Sequence, residues 1–332
     1  MWFKKLTGFD EKSPQQVREN ISVDGETLTS RVNGATYACG TLETPSLAEL
    51  RQRVRASGNR TGKISLREVE KTGAKALHRD EANAGALFQV ASQFNLLEMP
   101  SEHVTPECGI RGYETDNTQG PACAIAAGAG TIYRNYFAQV NGQTGQSAHN
   151  QIDCLADLGA AWGNTGNRLW EMKNGYALAT SDGLEEISQR LQGASESDLD
   201  EWRQLLRIGI QWNTQVTLDN CKHTVAQAYC SALPVGYCRS SDIRWTEFAR
   251  LILEATYEAT VCAAILNAQN TGNNKVFLTS IGGGVFRNNE DWIMSAIDRA
   301  LTLHRRAPLD VVFVAYSGSK PEIRAIAAKL VS

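Results

Sequence analysis

Two unbroken apolar runs near the C-terminus, KVFLTSI (275–281) and LDVVFVAYS (309–317), constrain this chain more than any other feature. Continuous apolar runs of that length suit strands covered on both faces of a parallel sheet. Between them lie a glycine loop, GGGVFRNN, and EDWIMSAIDRALTLH, whose Trp292, Ile293, Ala296, Ile297, Ala300 and Leu301 recur at helical spacing. Strand, glycine loop, helix, strand is a βαβ unit, so the expected class is α/β. Just upstream, a helix is expected to start at Ser241 and Asp242. It runs through WTEFARLILEATYEATVCAAILNA and stops between Asn270 and Gly272. It is apolar nearly all round, which predicts burial. At 332 residues, 42% apolar and 21% charged, the chain can fill a large core and is not disordered. That length fits two modules or one large decorated domain.

Upstream the pattern is less regular. VNGATYACGTLE reads as a strand and SLAELRQRV as a helix capped by Ser46. SGNRTGK (57–63) imitates a phosphate loop, but its glycines are one residue too close and Ile64 stands where Ser or Thr is needed. Ala86 to Phe94 reads as a buried strand opening onto Asn95 and Glu98. A long loop (101–122) then enters CAIAAGAGTIYRNYF, an Ala/Gly-rich helix with Pro121 in its first turn. QIDCLADLGAAW and GLEEISQRLQ read as helices, and so does SESDLDEWRQLLRIG, capped by Ser195 or Ser197. IQWNTQVTL reads as a strand.

A net charge of -3 disfavours a nucleic-acid binder or a polybasic membrane-surface protein. No run approaches the roughly 18 apolar residues of a membrane span, and MWFKKLTGFD is no signal peptide. A cytoplasmic location is expected, and with it eight reduced thiols in the core rather than disulfides. Cys221, His223, Cys230 and Cys238 cluster in sequence at a spacing that matches no zinc motif. Asp153 and Asp157 are four apart on an expected helix, where a solvated face accounts for them better than a metal pair does. The five histidines show no metalloprotease spacing, and no G-x-S-x-G elbow is present. No cofactor or metal is expected.

Gly282-Gly283-Gly284-Val285-Phe286 falls between a strand's carboxyl end and a helix start, where open α/β sheets bind ligands. Successive glycines let backbone N–H groups approach an anion, and a diphosphate is the natural ligand. The alternative is a tight turn needing positive φ. Arg287 replaces the last glycine of a dinucleotide fingerprint, so a nicotinamide site is not supported.

The order of these segments resembles a macrodomain, the ADP-ribose-binding α/β/α fold, with a mixed, largely parallel sheet. The run FQVASQFNLLEM, VTPECG, DNTQGPACAIAAG, YRNYF is most similar to a divergent branch that includes bacterial effector macrodomains removing ADP-ribose from ubiquitin. The resemblance implies a core split between 61–138 and 225–332, an N-terminal extension (1–60) packed on it and a mainly helical insertion (139–224). It implies that Asn95 and Phe286 position the distal ribose. The first loop would be Gly120, Pro121 and Ala122, and the second, holding the diphosphate, Gly282, Gly283, Gly284, Val285 and Asn288. Tyr316, ending the closing strand, would lie near adenine. The glycine and paired-glutamate signature of poly-ADP-ribose glycohydrolases is absent, and the usual asparagine pair is reduced to Asn95.

Hydrolysis at the anomeric carbon needs a carboxylate to orient water or stabilise an oxocarbenium-like transition state. Glu98, Glu107, Glu114 and Asp116 are the candidates, with Asp116 foremost and an Asx-turn as its structural alternative. Glu98 would be a second acid or, alternatively, a rim ion pair. Gln119 would orient a phosphate or a water, or simply satisfy loop carbonyls. The expected activity is hydrolysis of ADP-ribose from a modified protein, ubiquitin-like by the resemblance. A non-catalytic ADP-ribose reader and another nucleotide-processing hydrolase stay open.

Overall fold

The computed structural model describes residues 1–58, 61–70, 73–237, 243–316 and 318–331. The expected helix start at Ser241 and Asp242, the cluster member Cys238 and the strand end Ser317 lie outside the described residues.

Seven strands form the central sheet: β1 (Thr41–Glu43), β2 (Ser65–Glu70), β3 (Leu87–Ala91), β4 (Gly209–Gln215), β5 (Thr224–Cys230), β6 (Lys275–Leu278) and β7 (Asp310–Ala315). Their order is β1-β4-β5-β3-β6-β7-β2. The run from β5 to β2 is parallel, whereas β4 is antiparallel to β5 and β1 to β4. The parallel strands are as the apolar runs require, and the α/β class with a mixed, mostly parallel sheet is as the resemblance implies. Central strands β3, β6 and β7 are buried almost throughout, because helices cover both faces. Edge strand β2 alternates exposed with half-buried residues and had no counterpart among the expectations.

Helices pack around these strands, among them α1 (Leu47–Ala56), α2 (Gln119–Ala126), α3 (Gly128–Tyr136), α4 (Ala156–Trp162), α5 (Ser181–Gln192), α6 (Glu196–Leu205), α7 (Trp245–Thr271), α8 (Glu290–Leu303) and α9 (Pro321–Val331). Capping boxes start α1 at Ser46 and α6 at Ser195, which settles the choice between Ser195 and Ser197. Helix α7 ends at Gly272 in the left-handed conformation. By length and composition α7 would suffice to cross a membrane, yet 78% of its most apolar window is buried in the protein. Its Glu254 and Glu258 bind Arg203, Arg51 and Arg299. On the opposite sheet face Phe88 stacks on Phe277 at 4.4 Å, with His78 3.8 Å from Phe88.

Three expectations are corrected. The Ala/Gly-rich segment is two helices, broken at Ala127 (φ -112, ψ 58). There the Thr217 N–H takes the Ala126 carbonyl at 2.8 Å and the Thr131 hydroxyl takes that of Ala124 at 2.6 Å. The insertion boundary at 224 falls too late, since β4 is a strand of the central sheet. The part outside it holds α4 to α6 and two hairpins, Gln139–Val140 with Gln143–Thr144 and Trp170–Lys173 with Tyr176–Ala179. Asp153 and Asp157 do not share a helix face: Asp153 precedes α4 and accepts the Leu155 N–H, while Asp157 pairs with Arg207.

Residues 1–60, expected as an extension packed on the core, contribute to it directly. Their three-stranded sheet, Ile21–Asp24, Thr27–Ser30 and Thr36–Ala38, is separate, whereas β1 joins the central sheet. Seven described cysteines are free thiols, five of them buried; Cys108 is exposed and Cys221 half-buried, so the core does not hold them all.

Candidate functional site

The chain leaves β3 in the middle of the sheet, runs to β4 and β5 on one side and returns to β6 and β7 on the other. Such a reversal opens a crevice at the carboxyl ends of the strands. The pairing shows where. β3 stays paired with β5 as far as Ala91 and Cys230, but with β6 it pairs only at Leu87 and Phe88. Beyond Phe88 the two strands part.

Gln119, the first residue of α2, fills the gap as a strand would. Its Oε1 accepts the Ala91 N–H at 2.9 Å and its Nε2 donates to the Gln89 carbonyl at 2.8 Å. The Gln89 side chain in turn accepts the Thr279 N–H at 3.2 Å. Gln119 therefore anchors the start of α2 through both ends of its amide, as in the expected alternative in which it satisfies loop groups. The close approach also explains Gly120: a Cβ there would lie 2.0 Å from the Ala91 carbonyl oxygen. Gly120 and Pro121 are buried and Ala122 half-buried, so this loop offers backbone rather than side chains. Neither the Gln119 nor the Gly120 N–H has an acceptor among the described residues, as expected in the first turn of a helix.

The second loop follows β6. Gly282 has φ +77, and a Cβ on it would meet Ala232 at 2.5 Å and the Asn288 amide at 2.7 Å. Asn288 is buried and donates to the Leu233 carbonyl at 2.9 Å, while the Gly236 N–H holds the Phe286 carbonyl at 2.9 Å. The loop is thus pinned to the segment after β5, and Asn288 is one of the pins rather than a ligand contact. Gly283, Gly284 and Val285 remain exposed. The N–H groups of Gly282, Gly284, Val285 and Phe286 find no acceptor among the described residues. Clustered backbone donors in a loop held by other contacts make an anion-binding concavity.

The Phe286 ring is buried, packed on Tyr176 at 5.4 Å and Tyr237 at 5.7 Å. It does not offer its face to a ribose, contrary to its expected role. Tyr316 is 81% exposed at the end of β7, free to stack on a ligand.

Asn95 is also reassigned. It is fully buried, its Nδ2 donates to Gln151 at 2.8 Å and its Oδ1 accepts the Leu97 N–H at 3.1 Å. Its carbonyl takes the Gln146 amide, and Gly175 packs against its side chain. The inserted segment thus clamps the loop after β3 through Asn95, leaving no group for a ribose.

Of the four carboxylates, Glu107 accepts the Ala148 N–H and Glu114 the Trp2 N–H. Glu98 lies beneath Gly120, 3% exposed, paired with fully buried Arg134 at 3.4 Å. Burial pushes its carboxyl up to about 7 although Arg134 opposes this, and its Oε2 has no hydrogen-bond partner among the described residues. Glu98 is neither a rim ion pair nor an acid open to substrate; it is a buried support. Arg134 also donates to the Leu96 carbonyl and the Tyr229 hydroxyl, and the Tyr113 hydroxyl accepts the Glu98 N–H at 3.0 Å. That leaves Asp116, half-exposed three residues past Tyr113, its Oδ1 accepting the Thr118 N–H at 2.8 Å. Its Oδ2 makes no hydrogen bond among the described residues. Burial first, then Tyr237, Glu102 and Asp116, raise the Tyr176 phenol. Sequence reasoning gave no role to Tyr176, Arg134, Tyr113 or Tyr229, although Arg134 lies in the segment YRNYF.

Among the described residues no group of three or more His, Cys, Asp or Glu is placed to hold a metal ion. His223 bonds the His78 carbonyl and the Cys230 thiol meets Thr260.

No family model matches the chain, and no curated protein matches it. Among solved structures it is similar to a poly(ADP-ribose) glycohydrolase from Thermomonospora curvata, at 12% identity and TM-score 0.47, with 95% of each chain covered. A structure of that glycohydrolase bound to the inhibitor ADP-HPD matches at 13% identity and TM-score 0.47, again covering 95% of each chain. The poly(ADP-ribose) glycohydrolase of Deinococcus radiodurans in complex with ADP-ribose matches at 14% identity and TM-score 0.42, over 87% of this chain and 91% of that one.

Proposed function

We propose that the crevice binds ADP-ribose and that the chain hydrolyses it from a modified protein. One observation carries the reading: four N–H groups without acceptors, on Gly282, Gly284, Val285 and Phe286, in a loop whose shape other contacts maintain. A diphosphate supplies the acceptors such a loop lacks, and the unpaired N–H groups at the start of α2 add a second, dipole-favoured contact. Adenine stacks on Tyr316. Asp116 is the carboxylate left to act at the anomeric carbon, where Oδ2 orients a water while Oδ1 keeps the loop turned. The bond cut is the one joining the distal ribose to a protein side chain.

Calorimetric titration with ADP-ribose, with AMP as control, tests the binding. A Kd near micromolar, about -8 kcal/mol, that AMP does not reproduce is expected; absence of binding refutes the site. Turnover is then measured on mono-ADP-ribosylated proteins, ubiquitin among them, and on the ADP-ribose polymer. Release from the protein, abolished in Asp116→Asn, is the expected result. Binding without turnover would make the chain a reader, and release from polymer alone would move the bond cut to the ribose–ribose linkage.

A further inference from the structure

A groove of about 670 Å³ opens away from the carboxyl edge of the sheet, between the ends of α1, α7 and α8 and the turn before β7. That is within the usual range for a binding site.

Among the described residues its lining contains no aspartate or glutamate but includes Arg55, Arg305 and Arg306, all three exposed. No carboxylate among the described residues pairs with any of them, although the chain carries more acidic than basic residues overall. Three helix C-termini converge here, each equivalent to about half a negative charge. Three guanidinium groups outweigh them, so the groove is locally positive. The floor is apolar, with Val54, Ile265 and Pro308 in the lining and Leu303 54% exposed. The arginine-bearing turn is fixed, because the Arg305 and Arg306 carbonyls accept the Ile64 and Gly62 N–H groups at 3.2 and 2.8 Å.

We propose that this groove docks an acidic, amphipathic segment of a partner protein, with apolar side chains covering Leu303 and carboxylates meeting Arg55, Arg305 and Arg306. A small anion would satisfy the arginines but leave Leu303 uncovered, and an uncharged apolar segment would leave the arginines unmatched. Arg–carboxylate pairs at such a rim set partner choice and association rate. The proposal does not depend on the reading of the crevice.

The test is fluorescence anisotropy of the full chain with a short dye-labelled peptide carrying two leucines four residues apart among glutamates. The same leucines among lysines serve as control. Binding of the acidic peptide alone is expected, weakening at least tenfold from about 50 to about 300 mM salt. Combined Arg55→Glu, Arg305→Glu and Arg306→Glu should abolish it, and Leu303→Ser should weaken it several-fold. Unchanged melting temperature and far-UV circular dichroism in these variants separate lost docking from lost folding. The proposal is overturned if the acidic peptide fails to bind or if charge reversal leaves its affinity unchanged. It is also overturned if inorganic triphosphate displaces the peptide fully while Leu303→Ser has no effect, the signature of a simple anion site.

Discussion

Glu98→Gln separates a buried support from a catalytic acid. In the folded chain Glu98 holds its proton up to about pH 7, against an ordinary value of 4.5, because burial outweighs the attraction of Arg134. Between those two values the unfolded chain has released the proton and the folded chain has kept it. Stability from this group therefore falls as pH rises through that window and levels off above it. The fall amounts to about 3 kcal/mol from linkage. Glutamine has nearly the same shape and no charge, so it follows the protonated form at every pH. Urea unfolding of parent and variant, compared at about pH 4.5 and about pH 8, should show the free-energy difference between them moving by about 3 kcal/mol in favour of the variant. Comparing the two proteins cancels every other titrating group. If the difference is the same at both pH values, Glu98 is ionised in the fold throughout and the account of its burial is wrong. A variant that keeps hydrolysis at pH 8 would confirm that Glu98 does not act on substrate.

Other substitutions test the two loops and the clamp. Gly120→Ala places a methyl 2.0 Å from the Ala91 carbonyl oxygen; overpacking of that kind costs about 1–3 kcal/mol, seen as a lower urea midpoint with weaker ADP-ribose binding. Gly284 has open space around it, so Gly284→Asp should leave the melting temperature unchanged while like charge lowers ADP-ribose affinity at least tenfold; unchanged affinity would remove the diphosphate from this loop. Asn95→Ala breaks bonds to Gln151 and Leu97 and should destabilise by about 1–3 kcal/mol. A large loss of affinity in Asn95→Ala without loss of stability would restore its expected place beside the ribose.

What local pattern encodes, the sequence reveals here. The apolar runs of β3, β6 and β7, the helical spacing of α8, the caps at Ser46 and Ser195 and the loop Gly282–Phe286 all depend on near neighbours in the chain. Periodicity and turn chemistry record such dependence directly. Edge strand β2 escaped because half-burial leaves a weak alternation, and the break at Ala127 because a hydroxyl and a remote N–H create it. Side-chain roles in the crevice were harder still. Asn95, Glu98, Gln119 and Asn288 all sit where a ligand-binding residue would stand, and only partners distant in the chain show them to be structural: Gln151 and Gln146 for Asn95, Arg134 for Glu98, Ala91 for Gln119 and Leu233 for Asn288. A buried polar group takes its function from whichever group satisfies it. That partner is chosen by long-range packing, which one-dimensional spacing does not carry. Asp116 keeps its candidacy for the same reason, since its second carboxylate oxygen has no hydrogen-bond partner among the described residues.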